Sequence, residues 1–188
     1  YLPKAWSDDP IWRNKTHVPE TVEFATKPSL ACAMIQRALS TDVPFSWVAA
    51  DSVYGVGSIE MTLRRAAKGY VLGVSSSHGF TSWGKSYAVS GTAKEITAAL
   101  PEDAWKRLSS GDGTKGTRLH DWAYLDLADL DAGDFGADFT GTWTRGLLIR
   151  RNIADGDTSY FTTWCPQGTS IETLARIEGH RWAIEDSF

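Results

Sequence analysis

Apolar residues recur at three- and four-residue intervals in PSLACAMIQRAL, Pro28 to Leu39, which predicts a helix of three turns with Pro28 in its first turn. The pattern then contracts. PFSWVAAD, Pro44 to Asp51, is short, apolar and aromatic, as expected of a strand covered on both faces, and it ends in a carboxylate. A loop, SVYGVG, leads into SIEMTLRRAAK, whose periodicity is helical, with Ser58 as the expected N-cap and Gly69 as the expected C-terminal stop. A second buried strand, Tyr70 to Val74, completes a βαβ unit, for which parallel strands and a right-handed crossover are the default.

From Ser75 the apolar positions alternate, and Gly, Ser, Thr and Trp become frequent. RLHDWAYLDL, TWTRGLLIRR and SYFTTWC read as antiparallel strands, and PEDAWKRLSS near Pro101 reads as a short interposed helix. At TSIE the pattern turns helical again, with Thr169 and Glu172 spaced as a capping box. The expected organisation is a core over 1–75, a β-rich insertion over 76–168, and a return to the core in a helix over 169–188.

On a helical wheel that last segment places Ile171, Leu174, Ile177, Ile184 and Phe188 on one arc, and Glu172, Thr173, Arg176, His180, Asp186 and Ser187 opposite. Arg181 and Glu185, four residues apart, fall within the apolar arc, with Glu178 at its edge. Buried charge costs several kcal/mol (about 3–5 for a broken pair) unless it is paired or binds a cation. Two explanations follow: Arg181 and Glu185 pair with each other, or Glu185 meets a cation shared with a second carboxylate. Asp51 is the candidate for the second, because ligand sites in open α/β sheets gather at strand C-terminal ends; alone, it also suits the cap of the following turn.

With 188 residues, 42% of them hydrophobic, the chain has material for one good core. No run approaches the roughly 20 apolar residues of a membrane span, Tyr1, Pro3 and Lys4 do not open a signal peptide, and a cytoplasmic protein is expected. Cys32 and Cys165 form no CxxC pair, and His17, His78, His120 and His180 are scattered, so neither a disulfide framework nor a zinc site is signalled. The GDGTKG segment lacks phosphate-loop spacing and reads as a turn in which Lys115 is a candidate DNA contact. The net charge of −4 runs against nucleic-acid binding, and nine tryptophans favour a rival, a Trp-rich β module that binds carbohydrate or peptide. That rival leaves the βαβ unit unexplained.

The stretch WVAADSVYGVGSIEMTLRRAAKGYVLGVS, followed much later by GHRWAIEDSF, resembles the DDE transposases of bacterial insertion sequences, in the branch whose RNase H-like core is interrupted by a β-insert. YLPKAWSDDP, FATKPSLACAMIQRAL, SGDGTKGTRLHDWA and GLLIRR are similar to that branch as well. The resemblance implies an α/β, RNase H-like fold with an antiparallel insertion. It also implies three carboxylates, Asp, Asp and Glu, holding two divalent ions, Mg²⁺ or Mn²⁺, with Asp51 as the second Asp and Glu185 as the Glu. The first Asp would lie upstream of YLPKAW; Asp8 and Asp9 do not follow a β-run and do not replace it. The chain opens without Met and stops within a helix, so it reads as a piece of the catalytic core, inactive by itself. In the family's Tyr-x2-Arg-x3-Glu-x6-Lys signature, Arg181 and Glu185 match, Glu178 stands at the Tyr position, and the Lys would fall near position 192. Arg181 is the expected phosphate contact, Arg64, Arg65 and Lys68 are either backbone contacts or a solvated face, and Tyr160 and Trp164 are candidates for stacking on an unpaired base. The implied partners are DNA, at transposon ends and target, and a second copy of the protein in a nucleoid-associated synaptic complex. A degenerate relic that folds without catalysing is the other reading of the same resemblance.

Overall fold

A computed structural model describes residues 2–82, 88–113, 116–127 and 142–181, and its contacts divide the chain into two units, Tyr1–Val43 and Pro44–Phe188. The first unit is helical: α1 (Lys4–Ser7), α2 (Pro10–Lys15) and α3 (Lys27–Ser40). Asp9 caps α2, its Oδ1 accepting the Ile11 and Trp12 N–H groups at 2.9 and 3.2 Å. Arg13 donates to the carbonyl oxygens of Ser7, Pro19 and Val22, which ties the loop after α2 back onto that helix. Thr26 caps α3 and Pro28 sits in its first turn, the place its fixed φ favours.

The second unit is α/β. It opens with the expected parallel pair, β1 (Trp47–Ala50) and β2 (Gly69–Val74), joined through α4 (Gly57–Arg65). The β2 strand is buried along its whole length, whereas β1, at one edge of the sheet, is half-buried rather than covered on both faces. Two helix-end expectations change. Val56, not Ser58, stands at the N-cap of α4, without a side-chain cap. The helix ends at Arg65, where Ala67 takes a φ of 51° and the Lys68 N–H reaches the Leu63 carbonyl; Gly69 instead opens β2 under the Trp47 ring.

A hairpin of β3 (Gly79–Ser82) and β4 (Val89–Thr92) follows, then α5 (Ala93–Ala98), whose capping box is Thr92 with Glu95. The segment expected as one helix near Pro101 gives only a 3-10 turn at Glu102–Ala104, because Trp105 is extended and the chain enters β5 (Lys106–Gly113). There Arg107 forks onto Asp121 across the ladder, at 2.9 and 3.4 Å, a contact with no counterpart in a helix of this segment. The expected antiparallel strands are β6 (Gly116–Leu127), β7 (Trp143–Arg151) and β8 (Thr158–Pro166), and α6 (Ile171–His180) follows.

Among the described residues, six strands form one sheet in the order β1-β2-β8-β7-β6-β5. Among the described strands, only β1 and β2 pair in parallel; β8 pairs antiparallel to β2 with Val71 opposite Thr163, so the sheet runs unbroken across residue 75. One face packs Val74, Leu127, Leu147 and Ile149 against Phe80 and Val89 of the hairpin and Ala93 of α5. The other packs Val71, Trp122, Leu148, Phe161 and Cys165 against Leu174 and Ala175 of α6. Alternation along β7 does the sorting: Leu147 and Ile149 take one face, and Leu148 takes the other. On the α6 face Gly179 lets helix and sheet touch backbone to backbone, since a Cβ there would lie 1.7 Å from the Ser110 carbonyl oxygen.

Candidate active site

A cavity of about 370 Å³ opens at the C-terminal ends of β1 and β2, where ligand sites of α/β sheets commonly form. Asp51 and Ser52 line it from the turn after β1, and Arg150, Ser159 and Tyr160 from β7 and β8, with Arg181 just beyond α6. The turn that presents Asp51 is tightly built. Asp51 Oδ1 accepts the Val53 N–H at 2.9 Å, and its carbonyl accepts the Tyr54 N–H at 3.1 Å, an Asx-turn of the kind Asp favours. Gly55 closes it against β2, where any Cβ would lie 2.0 Å from the Gly73 carbonyl oxygen. Asp51 therefore caps its turn and, as an exposed side chain, presents a carboxylate to the cavity; the two roles are compatible.

The opposite wall depends on α6. Its N-cap is Ser170, which accepts the Thr173 N–H at 3.2 Å, and not Thr169, whose hydroxyl donates to the Pro166 carbonyl. That register carries Glu178 into the interior rather than to the edge of the apolar arc, leaving it 1% exposed. Glu178 Oε1 accepts from Arg150 Nη1 at 2.9 Å and lies 3.9 Å from Arg181 Nε, while Oε2 is buried without a hydrogen bond. Burial pushes the Glu178 carboxyl up, and the Arg150, Arg181 and Arg118 guanidiniums oppose that shift. Arg150 also donates to Ser159 Oγ at 3.0 Å and lies over the Phe161 ring. Arg118 Nη2 reaches the Gly179 carbonyl at 3.4 Å. Close by, burial and then the Arg150 and Arg118 charges hold His120 below the usual imidazole range.

The expected site residues are thus partly assembled. Asp51 and Arg181 share the cavity, and Tyr160 lines it although mostly buried, its hydroxyl 2.7 Å from Thr158 Oγ1. Glu185 and Lys115 lie outside the described residues. Trp164 is corrected: it is fully buried, stacked on Trp143 at 4.1 Å with the Arg64 guanidinium 5.9 Å from its ring, so no face is open to a base. Arg64 is corrected too, since it is buried, donates to Tyr70 Oη at 2.9 Å and pairs with Glu60; Arg65 remains exposed and Lys68 lies over Phe45. The sequence reading missed Arg150, although the alternation of GLLIRR carried the signal. Arg150 shares the α6 side with Leu148, while Arg151 lies over Trp105 and pairs with Asp121.

Among the described residues, no three Asp, Glu, His or Cys side chains gather as a metal-binding group. Among the described residues that line the cavity, Asp51 alone carries a carboxylate, a hard oxygen donor suited to Mg²⁺ or Mn²⁺. Among the described residues as a whole, no helix is long and apolar enough to cross a membrane.

Residues 1–88, the span that contains Asp51 and its turn, match the family model of the DDE superfamily endonuclease. No curated protein matches the chain. Enzymes of that superfamily act on DNA, as nucleases and transposases, and typically use divalent metal ions. Residues 1–88 of the chain are thus similar to a DDE-superfamily, transposase-like protein.

Proposed function

We propose that the chain is part of a transposase catalytic core that cleaves DNA at insertion-sequence ends and joins the freed 3′ end to target DNA. The observation that carries this is the placement of Asp51, an exposed carboxylate at a strand end, in one cavity with Arg181. In this reading β1, α4 and β2 belong to an RNase H-like core, β5 to β8 are its β-insert, and Glu185, four residues after Arg181 in the sequence, is the Glu of the carboxylate set. Asp51 and Glu185 would hold Mg²⁺ or Mn²⁺, which when bound activates the attacking oxygen and stabilises the leaving one. Asp51 is prepared for that task by its turn, whose N–H fixes Oδ1 and so orients the carboxylate. Arg181 holds the phosphate beside it. Two copies of the protein would bring two transposon ends together.

Mn²⁺ titration followed by the electron-paramagnetic signal of the free ion tests the ligand assignment on the chain itself. Asp51→Asn should weaken binding at least tenfold. On the product of the complete reading frame, Mg²⁺-dependent nicking of the inverted-repeat ends should fall to background in Asp51→Asn and in Glu185→Gln. Retained DNA binding without any metal-dependent nicking would leave the relic reading.

A further inference from the structure

Two tryptophans of the first unit stand in water on a scaffold that is itself well tied. Trp6 and Trp12 are 48% and 43% exposed, although a buried indole is among the most stabilising side chains a core can hold. Trp6 comes from α1 and Trp12 from α2, and their rings stack with centroids 5.6 Å apart, 7° from parallel. The turn between the helices supports that geometry: Asp9 caps α2 through the Ile11 and Trp12 N–H groups, and Arg13 donates to the Ser7 carbonyl at 3.0 Å. Stacking covers at most one face of each ring, so flat aromatic surface stays open to solvent. The exposed Lys15 ammonium lies 5.0 Å from the centre of the Trp12 ring and brings a positive charge to that surface.

We propose that Trp6 and Trp12 form a stacking platform for unpaired bases of a DNA strand, with Lys15 contacting a phosphate beside them. Every base has a flat π-face that matches an indole, and a phosphate follows every base, so aromatic surface with an adjacent cation holds single strands whatever their sequence. In a duplex the bases already stack on their neighbours, and the platform therefore prefers a single strand. Charge selects this occupant over its rivals. A neutral oligosaccharide would leave Lys15 unused, and a second copy docking by the same patch would set Lys15 against Lys15. The carboxylates of the turn are engaged within it, Asp8 by the Ser7 hydroxyl at 3.1 Å and Asp9 by the α2 N–H groups, which lessens their repulsion of a phosphate. The inference goes beyond the cavity around Asp51, and it rests on the transposase reading in taking DNA as the ligand.

The test is fluorescence anisotropy of a labelled oligothymidylate of about 15 nucleotides, and of a duplex of the same length, with the unaltered chain, Trp6→Ala, Trp12→Ala and Lys15→Gln. The single strand should bind more tightly than the duplex. Either tryptophan variant should weaken it about tenfold, within the range for one lost stacked base, and should leave duplex binding within about twofold. Lys15→Gln should make the slope of log K against log salt shallower by about 0.7, the value for one phosphate of a single strand. Tryptophan variants that melt at a lower temperature yet bind the strand as the unaltered chain does would overturn the platform and leave the pair as a staple between α1 and α2. A dimer in sedimentation equilibrium that both tryptophan variants abolish and the oligonucleotide does not displace would overturn it as well, as would binding of cellohexaose in place of the oligonucleotide. Should the variants fail to melt cooperatively, photo-crosslinking of the unaltered chain to an oligothymidylate carrying 5-bromodeoxyuridine decides: attachment at Trp6 or Trp12 supports the platform, and attachment only elsewhere refutes it. The Asp51 reading is judged separately by Mn²⁺ titration, which involves neither tryptophan, so a chain that binds Mn²⁺ through Asp51 but no single strand would lose the platform and keep that reading.

Discussion

Asp51 and Glu178 show how two carboxylates of one site come to differ. Asp51 is exposed, with one oxygen accepting a backbone N–H, so its environment lets it meet a cation without prior desolvation. Glu178 is buried, and burial raises its pKa although the arginines pull the other way. The sign of the consequence follows by linkage. A raised value means that the folded chain keeps its proton where the unfolded chain has lost it, so stability falls as pH rises from the ordinary value of 4.5 through the raised one. Glu178→Gln keeps the side-chain shape and removes that titration. Urea midpoints at pH 4.5 and pH 7 should therefore shift in favour of the glutamine variant at the higher pH. Asp121 and Glu95, whose pKa values are lowered, also respond to acid, but they are common to both proteins and cancel in the comparison. A shift in the opposite direction would mean that the arginines outweigh burial.

Helix α6 sets the distance between these groups, and its packing turns on Gly179. Alanine would favour the helix by about 1 kcal/mol through propensity alone. Its Cβ, however, would sit 1.7 Å from the Ser110 carbonyl oxygen, so α6 would have to move off β5, and overpacking of this kind costs about 1–3 kcal/mol. Gly179→Ala should lower Tm, at roughly 2–4 °C per kcal/mol for a chain of this size, and should weaken DNA binding by drawing Glu178 and Arg181 away from Arg150. An unchanged Tm would show that the close approach is relieved at little cost. What the sequence displays at this scale is periodicity: the β1-α4-β2 unit, the strands β6 to β8 and the final helix are all visible in it. End signals transfer less well, because several residues near each helix end can serve as cap. Ser170 replaces Thr169, Val56 replaces Ser58, and the capping box that forms is at Thr92 and Glu95. The misread element, Lys106 onward, is decided by pairing with β6, a long-range contact that local spacing does not encode. Arg150 was hidden for the same reason: its meaning depends on Glu178, 28 residues away.

In the second unit, β8 joins what the sequence reading separates. Among the described residues it alone pairs with the edge of β2 opposite β1, and its other edge carries β7. The cavity inherits this arrangement, since Asp51 comes from the β1 side, Ser159 from β8 itself and Arg150 from β7 beyond it. If the βαβ unit and the antiparallel strands were independent lobes, metal binding at Asp51 would survive the loss of packing around Trp122. With one sheet, the two should fail together. Urea unfolding followed by tryptophan near-ultraviolet circular dichroism and by release of bound Mn²⁺ should give coincident transitions, the signature of a single cooperative unit. Thr163→Pro sharpens the test. Thr163 is fully buried in the middle of β8, opposite Val71 on one side and Gly146 on the other. Proline there removes a ladder hydrogen bond and clashes with its neighbours, at about 3 kcal/mol or more, a large part of the roughly 5–15 kcal/mol of a typical domain. The variant should lose Mn²⁺ affinity and aromatic dichroism in parallel. Mn²⁺ binding that persisted after the dichroism had gone would show that β1 and β2 hold Asp51 without the rest of the sheet.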